Sequence, residues 1–219
     1  MYIPYDDFND NSFDTSKWLH YKVSDVELYE RNQRLEFVWT GGTGGAGDTV
    51  TSTKVFELKA DKEYEICVTV VTCGEGANLS AFVNERNFYA IGILPTGELR
   101  VVAVVDGNMY PLKSMVVGKN YGRLAIGVAN SQVYFMFDGN EVYRETYRLP
   151  SRSVNMMLMA MVSNTYPLVA FDEAGYSTAG TAGMFPSQIF ETIISLLTTM
   201  LPLFMVLIMF TTLIRALKG

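Results

Sequence analysis

Residues 121–147 read YGRLAIGVANSQVYFMFDGNEVYRETY. Three runs rich in Val, Ile, Tyr, Phe and Thr, at 121–129, 132–137 and 141–147, are divided by short polar breaks. The second break, Asp138-Gly139-Asn140, is a turn signal with a mechanism, because Gly and Asn accept positive φ at low cost. The same texture extends outward. Further β-rich runs lie at 50–57, 63–71, 79–84, 87–94, 98–105, 154–162 and 168–176, with Pro95-Thr96-Gly97 and Asp106-Gly107-Asn108 as additional turns. Upstream, Leu35, Phe37 and Trp39 alternate with Arg34, Glu36 and Val38, the period of a strand. The glycine run 41–47 (GGTGGAG) then breaks it, and no helical period appears before residue 187. Many short strands at this spacing predict an all-β fold, an antiparallel β-sandwich or jelly roll.

The end of the chain has a different character. Between Glu191 and Arg215 stand 23 residues without formal charge, TIISLLTTMLPLFMVLIMFTTLI, of which 13 are Leu, Ile, Val or Phe. That length crosses a bilayer core as a helix. The apolar residues together supply on the order of −6 kcal/mol of insertion free energy. The predicted organisation is a sandwich over 1–176, a Gly/Ala/Ser/Thr linker over 177–187, one transmembrane α-helix over 188–216, and a tail over 217–219. Ser195, Thr198, Thr199 and Pro202 share one face of that helix and are expected to pack against another span, which implies a homo-oligomer or further subunits. Arg215 and Lys218 after the span predict an internal C-terminus and an external domain, with the chain at the membrane as a single-pass protein; the alternative is tail anchoring with the domain in the cytoplasm.

Charge excludes one class of partner. The chain has 17 Lys+Arg and 23 Asp+Glu; two of the cations follow the span, so the preceding domain holds 15 cations and a net charge of −8. An acidic domain without basic runs does not bind nucleic acid. Two cysteines, Cys67 and Cys73, would lie about 20 Å apart on an extended strand and could bridge only if the chain turned between them.

Several stretches together carry a family resemblance. Residues 6–18, DDFNDNSFDTSKW, set Phe8, Phe13 and Trp18 among turn-forming Asp, Asn and Ser. This segment resembles the opening of concanavalin A-like lectin/glucanase (laminin G-like) domains. Arg34-Leu35-Glu36-Phe37, Asn120-Tyr121-Gly122-Arg123-Leu124, Phe135-Met136-Phe137-Asp138-Gly139 and Val169-Ala170-Phe171-Asp172 resemble later strands of that family, in order. The resemblance implies a jelly roll, and in some members a structural Ca²⁺ near the first and last strands. Asp6, Asp7, Asp10 and Asp172 are the residues it would implicate; no other cofactor is expected. The resemblance also invites a glycosidase reading, in which acids alternate along one strand. Glu63 and Glu65 are two apart, about 7 Å on one strand face, but the third acid is missing and a solvated strand edge is the expected explanation.

Other chemistry finds little support. The glycine run matches G-x-G-x-x-G, but a β-rich run follows it instead of a helix. His20 is the only histidine and is expected to be structural; zinc would need more Cys and His. Asp7, Asn9 and Asn11 alternate as at the start of an EF-hand, yet Ser12 replaces the Gly and Trp18 the bidentate acid. Sugar binding requires exposed aromatic platforms, for which Trp39, Tyr110, Tyr121 and Tyr166 are candidates by loop position. Asn78-Leu79-Ser80 is a glycosylation sequon. With a membrane stretch and no catalytic constellation, the expectation is a non-enzymatic, membrane-anchored structural or attachment component of a virion or cell-surface assembly. The alternatives are a carbohydrate-binding adhesin and a membrane-bound glycosidase.

Overall fold

A computed structural model describes residues 1–22, 25–42 and 44–178. The predicted span, with Ser195, Thr198, Thr199 and Pro202, lies outside the described residues. Among those residues, no helix is long and apolar enough to cross a membrane.

The described chain is all β. Its strands are β1 (Tyr2–Asp6), β2 (Trp18–Tyr21), β3 (Val26–Arg31), β4 (Arg34–Trp39), β5 (Gly45–Glu57), β6 (Glu63–Cys73), β7 (Gly76–Asn84), β8 (Asn87–Ile93), β9 (Glu98–Val105), β10 (Asn108–Val116), β11 (Gly122–Ala129), β12 (Gln132–Phe137), β13 (Asn140–Thr146), β14 (Ser153–Ser163) and β15 (Leu168–Thr178). They form two antiparallel sheets. One has eight strands in the order β13-β12-β11-β6-β15-β4-β3, with β1 also paired to β15. The other has seven, in the order β10-β9-β8-β7-β14-β5-β2.

The alternation of side chains explains why two sheets must stack. On β11 and β12, Leu124, Ile126, Val128, Val133, Phe135 and Phe137 belong to the main core. Ala125, Tyr134 and Met136, one residue out of phase, form a second cluster with Cys67 on the outer face of the eight-stranded sheet. The seven-stranded sheet answers with Leu79, Ala81, Tyr89, Ile91, Val101, Met156 and Leu158. The turns between are tight and left-handed: Asp106 and Gly107 (φ 53° and 83°) join β9 to β10, and Asp138 and Gly139 (φ 48° and 79°) join β12 to β13.

Residues 6–18 close one end of the core. Phe8 and Trp18 are fully buried and stack at 6.0 Å between ring centres. Each such burial stabilises by roughly 1.5–3 kcal/mol. Trp18 donates its indole Nε1–H to Asp6 Oδ2 at 2.7 Å, and Lys17 Nζ reaches Asp6 Oδ1 at 3.2 Å.

Four strands were not apparent as periodic runs: β1, β2, β3 and β10. β2 has four residues. β10 contains Pro111 and survives because it is a sheet edge with a register shift between Pro111 and Lys113. Cys67 and Cys73 are both free and buried on β6. The partner register skips Val71, with Thr72 opposite Ala170 and Val70 opposite Phe171. That irregularity turns Cys73 into the main core while Cys67 stays on the outer face. The sequon also fails as a glycan site in the folded domain: Asn78 lies within central strand β7 against Gly92, and Ser80 is buried.

Candidate functional site

The outer face of the seven-stranded sheet carries a groove of about 1040 Å³, lined by Tyr21 of β2, Thr49 and Thr51 of β5, Met157 and Met159 of β14, Phe82 of β7 and Phe88 of β8. This size lies at the top of the usual ligand-pocket range of roughly 300–1,000 Å³. Each of these residues is out of phase with the core positions of its strand. The same alternation divides 154–162, apolar on both faces in sequence: Met156 and Leu158 enter the core, whereas Met157 (7% exposed) and Met159 line the groove and Met161 is 42% exposed.

Phe82 and Phe88 are cross-strand partners beside the β7–β8 turn, 6.3 Å apart with ring planes 38° from parallel. The rim beyond them is made by Asn84, Glu85, Arg86, Asn87 and Asp106. It is held by a hydrogen-bond chain between two hairpin tips. Asn84 Oδ1 accepts from Arg86 N (3.0 Å) and Asn87 Nδ2 (3.2 Å), and Asn87 Oδ1 accepts from Asp106 N (3.0 Å). Arg86 Nη2 donates to the Asp106 carbonyl at 3.0 Å. The result is a fixed polar lip over an aromatic and thioether floor. Chemically it offers flat apolar surface to a ring's C–H face, with amides, hydroxyls and a guanidinium at its edge. Its carboxylates, Glu85 and Asp106, sit in the lip and not on the floor.

The four aromatic residues chosen from loop position do not build this site. Trp39 packs half-buried against the core beside Pro167, whose carbonyl accepts its backbone N–H. Tyr166 lies nearby in the β14–β15 turn, 43% exposed. Tyr110 is on the far edge strand beneath Arg148, and Tyr121 precedes β11 beneath Lys119. None of them lines the groove. The groove aromatics did leave a signal. FVNERNF at 82–88 places two Phe symmetrically about a polar turn between two predicted strands, so their side chains must meet on one face.

The acids are also redistributed. Asp6 is buried and serves Trp18 and Lys17, while Asp7 and Asp10 are exposed. Among the described residues no group of three or more His, Cys, Asp or Glu could hold a metal, so Asp6, Asp7, Asp10 and Asp172 are not brought together as a ligand set. Glu63 and Glu65 do not lie on a solvated strand edge. They are on β6, interior to the eight-stranded sheet, on the opposite side of the sandwich from the groove. Glu63 pairs with Lys54 at 3.4 Å. Glu65 accepts from Tyr134 Oη at 3.2 Å and Ser177 Oγ at 3.4 Å, and burial pushes its carboxyl up from the ordinary range. In the same outer cluster Arg123 Nη2 lies 2.9 Å from Cys67 Sγ, and burial pushes the Cys67 thiol up to about 12.

No family model matches the sequence, and no curated protein matches it. Solved structures do match the fold. A β-glucanase of Bacillus licheniformis superposes with a TM-score of 0.58 at 13% identity, covering 81% of this chain and 97% of that one. A laminarinase of Flavobacterium gives 0.58 at 14%, covering 79% and 98%. A carbohydrate-binding module of Bacillus subtilis gives 0.52 at 10%, covering 74% and 96%. The fold is therefore the concanavalin A-like jelly roll, the architecture on which these glucanases are built.

These likenesses correct two expectations. The proteins that share the fold are glycosidases and a sugar-binding module, so the reading as a non-enzymatic structural component of a virion is withdrawn. The exclusion of an enzyme fails with it, and for a physical reason. That exclusion rested on the missing third acid beside Glu63 and Glu65 and on the lack of another catalytic constellation; those two residues lie on the sheet that does not carry the groove and so say nothing about chemistry there.

Proposed function

We propose that residues 1–178 form a carbohydrate-binding domain whose ligand lies in the groove of the seven-stranded sheet, displayed at a membrane by the uncharged stretch 192–214 as in an adhesin. The observation that carries this reading is the groove's construction: Tyr21, Phe82 and Phe88 around a methionine floor, closed by a hydrogen-bonded lip of Asn84, Arg86 and Asn87. Sugars present C–H faces that pack on aromatic rings and hydroxyls that seek amides and guanidinium groups. A shared fold alone would not locate a ligand, since function resides in the site.

Hydrolysis is the second reading, favoured by the two carboxylates Glu85 and Asp106 in the lip. One experiment separates them. The protein is titrated with β-1,3- and β-1,3-1,4-glucan oligosaccharides, following both binding heat and release of reducing ends. Binding without release, weakened about tenfold by Phe88→Ala, supports the adhesin reading; tenfold corresponds to about 1.4 kcal/mol, within the range for a lost aromatic contact. Release abolished by Glu85→Gln supports hydrolysis. A glycan that binds equally well to Phe88→Ala and Phe82→Ala rules the groove out as the site.

A further inference from the structure

A second cavity, of about 370 Å³, lies where edge strand β2 of one sheet faces edge strand β3 of the other, lined by Phe13, His20, Lys22, Glu27, Leu28 and Tyr29. Its organising feature is a histidine–aspartate pair. Asp48 is fully buried, and its carboxylate accepts Thr49 N at Oδ1 and His20 Nε2 at Oδ2, both at 2.8 Å. A carboxylate only accepts, so Nε2 carries a hydrogen and Nδ1 is the ring nitrogen left for a ligand. Nδ1 has no partner among the described residues. The Phe13 ring meets the imidazole edge-on at 6.2 Å, which fixes its plane.

The rest of the lining completes a donor and acceptor set. Lys22 makes no ion pair among the described residues and offers an ammonium donor. Glu27 accepts from the Tyr29 hydroxyl and keeps acceptor capacity. Lys22 and Glu27 set one cation and one anion on the same lining, which suits a ligand that both donates and accepts better than a simple ion. Phe13 and Leu28 supply apolar surface. A ring bearing adjacent hydroxyls suits this arrangement, because a hydroxyl can hydrogen-bond to His20 Nδ1 in either sense, donate to Glu27 and accept from Lys22, with a C–H face left for Phe13. We propose that this side pocket is a second binding site, for one neutral hydroxyl-rich ring such as a single hexose unit. The proposal does not rest on the groove.

The sequence contains one histidine, so its ring resonances report this pocket alone. The full chain is titrated with methyl β-D-glucopyranoside by heteronuclear NMR, with Met159 Cε reporting the groove separately. A saturable shift of the His20 ring signals, weakened roughly tenfold by Lys22→Met through loss of a charge-assisted hydrogen bond, supports the proposal. Lys22 is exposed, so that variant leaves the fold intact. Absence of a saturable His20 shift overturns it, whatever Met159 does. An equal His20 response to acetate also overturns it, because the pocket would then be an anion site.

Discussion

Glu30 gives the sharpest quantitative test of how the N-terminal segment is held. It lies on β3, is 7% exposed, and neither carboxyl oxygen has a hydrogen-bond partner of normal geometry among the described residues. Burial, followed by the neighbouring Asp10 and Asp6 carboxylates, pushes it from 4.5 up to about 7. The folded acid therefore holds its proton through a window in which the unfolded chain has released it. Stability from this group is complete below pH 4.5, declines as pH rises toward 7, and is level above. A shift of about 2.5 units at 1.36 kcal/mol per unit corresponds to a loss on the order of 3 kcal/mol. Glu30→Gln keeps the shape and removes the ionisation. Urea unfolding followed by tryptophan fluorescence, to which Trp18 contributes from the same corner with its indole bonded to Asp6, measures the difference. Wild type and variant are expected to match near pH 4.5, with the variant ahead by on the order of 3 kcal/mol at pH 8. A difference that stays constant across that range refutes the buried-acid argument.

Two further outcomes follow from the outer face of the eight-stranded sheet. A Cβ on Gly175 would sit 2.4 Å from the Tyr2 ring, so Gly175→Ala is expected to lift β1 off β15 at a cost of roughly 1–3 kcal/mol, read as a lowered melting temperature and faster hydrogen exchange at Ile3. Cys67 and Cys73 are both buried, and Cys67 is pushed up to about 12, so a thiol reagent at neutral pH is expected to label neither in the native state and both after unfolding. Rapid native labelling would show that β6 opens far more readily than an interior strand should.

The architecture was legible because hairpin turns are local. Asp106-Gly107 and Asp138-Gly139 announce left-handed turns, and the runs they join are long enough to show β-rich composition without partners. β3 and β4 show the limit of that signal: their turn uses Asn32 and Gln33 at φ 55° and 60°, and Gln is no sequence marker for that conformation. The site was harder to read. Strand alternation identifies two faces but does not say which sheet a strand joins. Glu63 and Glu65 therefore read as the nearest approach to a catalytic pair, explained as a solvated edge, although they face away from the groove, while Phe82 and Phe88 read as ordinary strand residues. Whether Met157 and Met159 floor a cavity or meet another layer depends on β2, β5, β7 and β8 arriving from sequence positions far apart.

The two outer faces of the sandwich are finished differently, and that difference explains why the groove is where it is. On the eight-stranded sheet, side chains close over one another. The Tyr134 ring occupies the space beside Gly127, Tyr2 occupies the space beside Gly175, and Arg123 lies 4.5 Å from the Tyr2 ring centre. A Cβ at either glycine would displace a ring, so these glycines let the face make a second, covered layer around Cys67, Ala125 and Met136. On the seven-stranded sheet the corresponding small residues, Ala90 and Gly92, pair with Ser80 and Asn78, the Asn78 side chain and not a ring occupies the space beside Gly92, and the aromatic pair Phe82 and Phe88 stands at the β7–β8 end. Apolar surface that the domain covers with rings on one side stays open at the β7–β8 end of the other, where the proposed ligand would lie. A flat ring laid against Phe82, Phe88 and Met159 would do there what Tyr134 and Tyr2 do opposite.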